Sequence, residues 1–203
     1  MGRRRQVDPV TFQTWANILA RVPSAVLWLA ASPKDAFALL QREAAAAGVP
    51  PRRLVAAPWF PEKEHIRIKS LCDLFLDTPA YNAHQTAGDA LWAGIPMLTL
   101  PGEKMVSRVG LSMQLALGLS PSNTTIAHSF AGYEDTAVRL ASSPEELRAL
   151  RAEVEALRPG SILFNLTRST RMLEELYLRM WARHESGLPP DHIRLPSAPN
   201  RSS

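Results

Sequence analysis

The chain has 203 residues, 46% of them hydrophobic, enough to bury a sizeable core as one domain, and this balance excludes a disordered chain. Its formal charge of +4 is no nucleic-acid footprint, because Arg3, Arg4 and Arg5 supply three of those charges within a six-residue start. One cysteine, Cys72, excludes an internal disulfide, and the five histidines lack HExxH spacing, so neither a thiol nor a histidine metal site is indicated.

In chain order, residues 1–6 form a basic start expected to be disordered. They match neither a signal peptide nor a myristoylation pattern, since Gln6 stands where Ser or Thr is needed. "DPVTFQTWANILARV" opens with Asp8 as N-cap and Pro9 at the first helical position, and spaces Phe12, Trp15, Ile18 and Leu19 on one face, which predicts a helix. "SAVLWLA" reads as a buried strand near 24–30. The longest purely apolar run, "AVLWLAA", overlaps it and is too short to span a bilayer. "PKDAFALLQREAAAAG" reads as a helix capped by Gly48. A strand near 53–57 and the short helix "PEKEHIRIKSL" follow.

"CDLFLD" gives a third strand near 72–77, "TAGDALWAG" a helix starting at Thr86, and "IPMLTLP" a fourth strand near 96–100. Next come a helical "MVSRVGLSMQLALGL", a weak extended piece at "TTIAHS", and three amphipathic helices ending with "SILFNLTRSTRMLEELYLRMWARHESG". Trp15, Trp28, Trp92 and Trp181 sit on apolar stripes and are expected in the core, whereas His128, His184 and His192 are expected at the surface. Residues 188–203, rich in proline and serine, are expected to form a disordered tail beyond a domain covering residues 7–187.

Apolar strands alternating with helices predict an α/β fold, a doubly wound, Rossmann-like parallel sheet. In such sheets ligands bind beyond the carboxyl ends of the strands, at helix N-termini with free amides. The polar run Asn82, His84, Gln85, Thr86 and Asp89 falls at that place. The amides near Gln85, Thr86 and Ala87 suit a phosphate, His84 a phosphate oxygen, and Asp89 the hydroxyls of a sugar. An ordinary cap, with Thr86 and Asp89 imitating a capping box, fits the same spacing.

The string "LDTPAYNAHQTAGDALWAGIPMLTLPGEKMVSRVG" resembles the nucleotide-sugar-binding segment of the O-GlcNAc transferase family, whose pattern reads LDTP, two residues, N-G-H-T-T-G-x-D, then LWAGxPM. The likeness extends from "DPVTFQTWANILARVPSAVLWL" through "EHIR" to "LFNLTRSTRMLEELYLRMW", covering nearly all of residues 7–194. It implies the C-terminal, donor-binding lobe of a two-lobed glycosyltransferase of the B type. Such an enzyme is inverting and metal-independent, and moves N-acetylglucosamine from UDP-GlcNAc to Ser or Thr hydroxyls of proteins in the cytoplasm and/or nucleus.

By this resemblance His84, Gln85 and Thr86 lie at the diphosphate, Asp89 at the ribose, and His65 and the backbone of Phe60 at the uracil. Trp59, next to Phe60, is expected to approach the base. Lys63 and Asn82 are further candidates for the cleft; Lys104 and Arg108, which follow the carboxyl end of the fourth strand, fit either the cleft or a solvated helix start. No metal or other cofactor is implied.

The departures are specific. The family has Thr at Gln85, Gly at Ala83 and Ala87, and lysines at Gln6 and Glu62. Loss of the lysine at Gln6 predicts UDP affinity lowered by about one to two orders of magnitude. Catalytic acceptor-side groups and tetratricopeptide repeats lie, in the family, N-terminal to this segment, so the chain is expected to be inactive alone. It is also expected to self-associate through exposed Leu173, Leu176, Tyr177 and Met180. The alternatives are a noncatalytic nucleotide-sugar-binding remnant and, more weakly, a SPINDLY-type lobe using GDP-fucose. Neither a nucleic acid nor a membrane is an expected partner.

Overall fold

A computed structural model describes residues 7–30, 34–58, 60–119 and 125–195. Helix α1, Pro9–Arg21, begins as its sequence predicts: Asp8 Oδ1 accepts from the amides of Val10 and Thr11 at 2.9 and 3.0 Å, with proline at the first helical position. Its apolar face buries Phe12, Trp15, Ile18 and Leu19. Strand β1, Leu27–Ala30, leads through α2, Lys34–Ala46, to β2, Leu54–Ala57, which pairs with β1 in parallel. Gly48, at φ 79°, closes α2 in the left-handed conformation that glycine adopts without steric cost.

Helix α3, Glu62–Lys69, connects to β3, Phe75–Leu76; α4, Gln85–Trp92, connects β3 to β4, Met97–Leu98, again in parallel. The predicted extended piece at "TTIAHS" contributes one parallel bridge, Thr99 to Ile126. Helices α5 (Val109–Leu117), α6 (Phe130–Ser142), α7 (Pro144–Leu157) and α8 (Leu166–Glu185) complete the chain. The fold class is therefore the α/β arrangement with parallel strands that the alternation of elements predicts.

Two features differ from the sequence reading. The strands form two separate pairs, β1–β2 and β3–β4, rather than one continuous ladder. A cavity of about 510 Å³ lies between the pairs, lined by Leu27, Leu29, Phe75 and Leu76 among others. Both pairs still share one core, in which Leu27, Leu29, Leu98 and Leu100 meet the buried face of α1 and Tyr133 of α6.

The tryptophans also divide. Trp15 is core and Trp28 half-buried, but Trp92 and Trp181 are exposed, 48% and 60%, contrary to expectation. Trp92 ends α4, where Phe164 meets its ring edge-on at 5.1 Å and the Arg158 guanidinium lies over it at 5.3 Å. Trp181 belongs to α8, a helix of 20 residues with no buried side chain. Leu173, Tyr177, Leu178, Met180 and Trp181 all stand exposed on it, and Leu176 is half-buried.

His128, His184 and His192 are exposed, as expected. Residues 188–195 follow α8 without regular structure, tied back by Arg183 to the Pro189 carbonyl and to Asp191. Among the described residues no helix is long and apolar enough to cross a membrane.

Candidate functional site

The strand-to-helix turn after β3 is built around one buried carboxylate. Asp77 is fully buried; its Oδ1 accepts from the amides of Thr78 and Ala83 at 3.0 and 2.7 Å, and its Oδ2 from the Thr99 hydroxyl at 2.7 Å. Burial pushes its carboxyl up to about 6, against the pull of these hydrogen bonds. The Tyr133 hydroxyl donates to the Asp77 carbonyl at 2.9 Å. Gly110 packs so closely that a Cβ there would stand 2.4 Å from Asp77 Oδ2 and 2.5 Å from Thr99 Oγ1. Holding Ala83 fixes the position of the next residue, His84.

Asn82, a candidate for the cleft, belongs to this scaffold instead. Its side chain is fully buried, donating to the Thr78 carbonyl at 3.0 Å and accepting from the Gly110 amide at 3.1 Å, so it shapes the turn from within. Its own amide bonds to the Val106 carbonyl at 2.8 Å.

His84 occupies the N-cap position of α4 and provides no side-chain cap; its carbonyl takes the amides of Ala87 and Gly88. The helix thus begins at Gln85, one residue before the predicted Thr86. The capping box imagined between Thr86 and Asp89 does not form, because the Asp89 carboxylate turns to Lys69. The amides of Gln85 and Thr86 have no carbonyl one turn back to reach, which leaves the start of the helix open to an acceptor. The His84 ring stacks on Tyr81, centroids 5.0 Å apart, and its Nε2 is buried without a hydrogen-bond partner. An unpartnered buried donor or acceptor is costly, and a ligand oxygen reaching His84 Nε2 would complete it. Gln85 is exposed and Thr86 half-buried at the same rim.

His65 lies on α3, facing α4. Burial lowers its basicity, with the Lys69 ammonium acting in the same direction and Asp89 opposing, so the ring is neutral near pH 7. It lines the 510 Å³ cavity together with Phe60 and Lys69. His65 and Lys69 on α3 and Asp89 on α4 thereby share the α3–α4 seam, and His84 stands at the N-cap position of α4.

Lys104 is exposed and lines a separate depression of about 660 Å³ with Pro79, Ala80, His128 and Ser129. Arg108 is exposed at the N-cap position of α5. The side chains of Glu62 and Lys63, and the residues Gln6 and Trp59, lie outside the described set. Among the described residues, no group of three or more His, Cys, Asp or Glu side chains is placed to hold a metal ion.

Residues 3–173 match the sequence profile of glycosyl transferase family 41. The chain belongs to this family. A probable UDP-N-acetylglucosamine–peptide N-acetylglucosaminyltransferase SEC of Arabidopsis thaliana is 42% identical over 94% of the chain and 19% of its own length. The UDP-N-acetylglucosamine–peptide N-acetylglucosaminyltransferase of Caenorhabditis elegans is 37% identical over 93% and 16%. A SPINDLY relative of Solanum lycopersicum is more distant, at 29% over 94% and 20%.

Among solved structures, a variant of Thermobaculum terrenum O-GlcNAc transferase superposes with a TM-score of 0.82 at 28% identity, over 89% of this chain and 35% of that one. The family 41 chain thus spans about a fifth of the length of the curated relatives it matches, and its fold is that of the C-terminal lobe of a B-type glycosyltransferase.

Three residues of this candidate site escaped the sequence reading. Asp77 ends an apolar strand and reads as its terminus; only its place before a run of backbone amides that need an acceptor hints at its role. Tyr81 stands three residues before His84, the spacing that stacks the two rings. Lys69 follows His65 by four residues, the spacing that puts both on one helical face.

Proposed function

We propose that this chain is the donor lobe of a protein O-GlcNAc transferase, binding UDP-GlcNAc for transfer of its sugar to Ser or Thr hydroxyls of a protein. The observation that carries this reading is the open start of α4, where the buried Nε2 of His84 has no partner beside helix amides that have no cap. A diphosphate leaving group acquires negative charge as the glycosidic bond breaks. Amides, the helix dipole and an imidazole N–H stabilise that charge without a metal. In this reading the uracil lies against Phe60 and the neutral ring of His65, the ribose near Asp89, and the diphosphate at His84, Gln85 and Thr86. The acceptor hydroxyl and the group that takes its proton come from the other lobe of the two-lobed fold. The greater identity to the SEC and Caenorhabditis elegans relatives than to the SPINDLY relative supports the O-GlcNAc transferase reading over a SPINDLY-type lobe.

Titration calorimetry with UDP and GDP tests the assignment. UDP is expected to bind, in the weak range that Gln6 in place of a lysine predicts, and GDP more weakly still. His84→Ala is expected to lower UDP affinity about tenfold, the value of a hydrogen bond to a charged group. Unchanged UDP affinity in that variant, or a preference for GDP, would overturn the assignment.

The uncovered apolar stripe on α8 further supports self-association of the isolated chain. Sedimentation velocity is expected to show a concentration-dependent shift that Leu173→Glu with Tyr177→Glu abolishes. A monomer at all concentrations would refute it.

A further inference from the structure

The seam between α3 and α4 holds a side-chain pair that folding alone does not account for. Lys69 Nζ donates to Asp89 Oδ2 at 2.8 Å and lies 3.5 Å from the Thr86 carbonyl. The lysine side chain is 7% exposed and that of the aspartate 22%. Burial lowers the basicity of Lys69, while the hydrogen bond and charge of Asp89 hold the ammonium in place. Ion pairs buried to this degree add little net stability over apolar side chains of equal size, since desolvation cancels most of the attraction. The far end of α3 is itself fixed, because Arg151 of α7 donates to the carbonyls of Ser70 and Cys72.

We propose that Lys69 is a specificity-determining residue of the nucleotide site, pairing with Asp89 to recognise the vicinal hydroxyls of the ribose. The proposal rests on the donor-lobe reading above. Its chemistry follows from what the pair leaves open. Asp89 Oδ2 is occupied by the ammonium, so Oδ1, on the more exposed partner, is the acceptor left for an incoming O–H. An ammonium carries three donors, and two are directed at Asp89 and the Thr86 carbonyl; the third remains for an incoming oxygen. One acceptor and one donor side by side match a cis-diol, in which each hydroxyl both gives and receives. Lys69 also lines the cavity shared with Phe60 and His65, so the diol site adjoins the surface assigned to the base. Bound to Lys69, Asp89 is held in one orientation, ready to accept without reorganising.

The test compares UDP with 2′-deoxyuridine diphosphate on the full 203-residue chain by calorimetry, for wild type, Lys69→Met and Lys69→Arg, with a thermal unfolding curve for each. Wild type is expected to favour UDP about tenfold or more. Lys69→Met is expected to bring that ratio close to one, with a lower unfolding temperature because the Asp89 carboxylate loses its partner. Lys69→Arg, which keeps a donor and a charge, is expected to restore most of it.

A Lys69→Met chain that keeps the full preference for UDP would overturn the proposal. So would equal weakening of both nucleotides, the mark of a purely structural or general electrostatic role. If wild type binds UDP without distinguishing the deoxy form, the diol role fails and the donor-lobe reading stands; if it binds neither nucleotide, both fail.

Discussion

Asp77→Ala is expected to cost about 3 to 5 kcal/mol of folding free energy, since it strands three buried donors, the amides of Thr78 and Ala83 and the hydroxyl of Thr99. That is a large share of the stability of a single domain, and the turn that places His84 would be lost with it. Asp77→Asn separates the charge from the hydrogen bonds. Its amide oxygen still accepts from both backbone amides, and its NH₂ meets the Thr99 hydroxyl, which turns to accept.

The wild-type carboxyl is raised from 3.8 to about 6 in the fold, so the folded chain holds a proton that the unfolded chain has released. Stability from this group is complete below pH 3.8 and is lost as the pH rises through 6, amounting to roughly 2 to 3 kcal/mol. Urea unfolding of wild type should therefore show this contribution falling between pH 4 and pH 7. Asp77→Asn should remove that slope and be no less stable than wild type at pH 7. An identical pH dependence in the two chains would refute the account.

The second large effect concerns transfer itself. The 203-residue chain incubated with radiolabelled UDP-GlcNAc and a serine- or threonine-containing peptide is expected to transfer no measurable sugar. Mixing it with a separately produced N-terminal lobe of a family 41 transferase is expected to restore transfer. The reason is placement: reacting atoms must be held about 3 to 3.5 Å apart, and an oriented complex supplies about 7 kcal/mol or more of the barrier. In the donor-lobe reading proposed above, the residues at α3 and α4 bind the donor, and holding a donor does not orient an acceptor. Transfer by the chain alone at a rate the added lobe does not change would show that this chain orients the acceptor itself.

How much of this was legible in the sequence depended on whether a local signal carried it. The start of α1 was readable because Asp8 and Pro9 act within one turn of themselves. The strand-loop-helix seam was readable because a buried apolar run followed by small and polar residues has few other solutions. The strands form two pairs and not one continuous ladder: β3, only two residues long, pairs with β4, and a cavity lined by side chains of β1 and β3 lies between the pairs. Which partner Asp89 takes was beyond periodicity altogether, since Lys69 lies 20 residues away and meets it only when α3 and α4 pack. Trp92 and Trp181 misled because an apolar stripe marks a face that can be buried, without saying what covers it.

Helix α8 has a consequence for the entropy of assembly. With no side chain of its 20 residues buried, its leucines, methionines and long charged side chains keep most of their rotamer freedom in the folded chain. What holds its helical backbone is local, such as the Glu175–Arg179 pair one turn apart and the Asn165 cap on the Arg168 amide. A surface that closes over Leu173, Tyr177 and Trp181 thus finds the backbone already ordered and has only side-chain motion left to quench, at roughly 0.5 to 1.5 kcal/mol for each side chain immobilised.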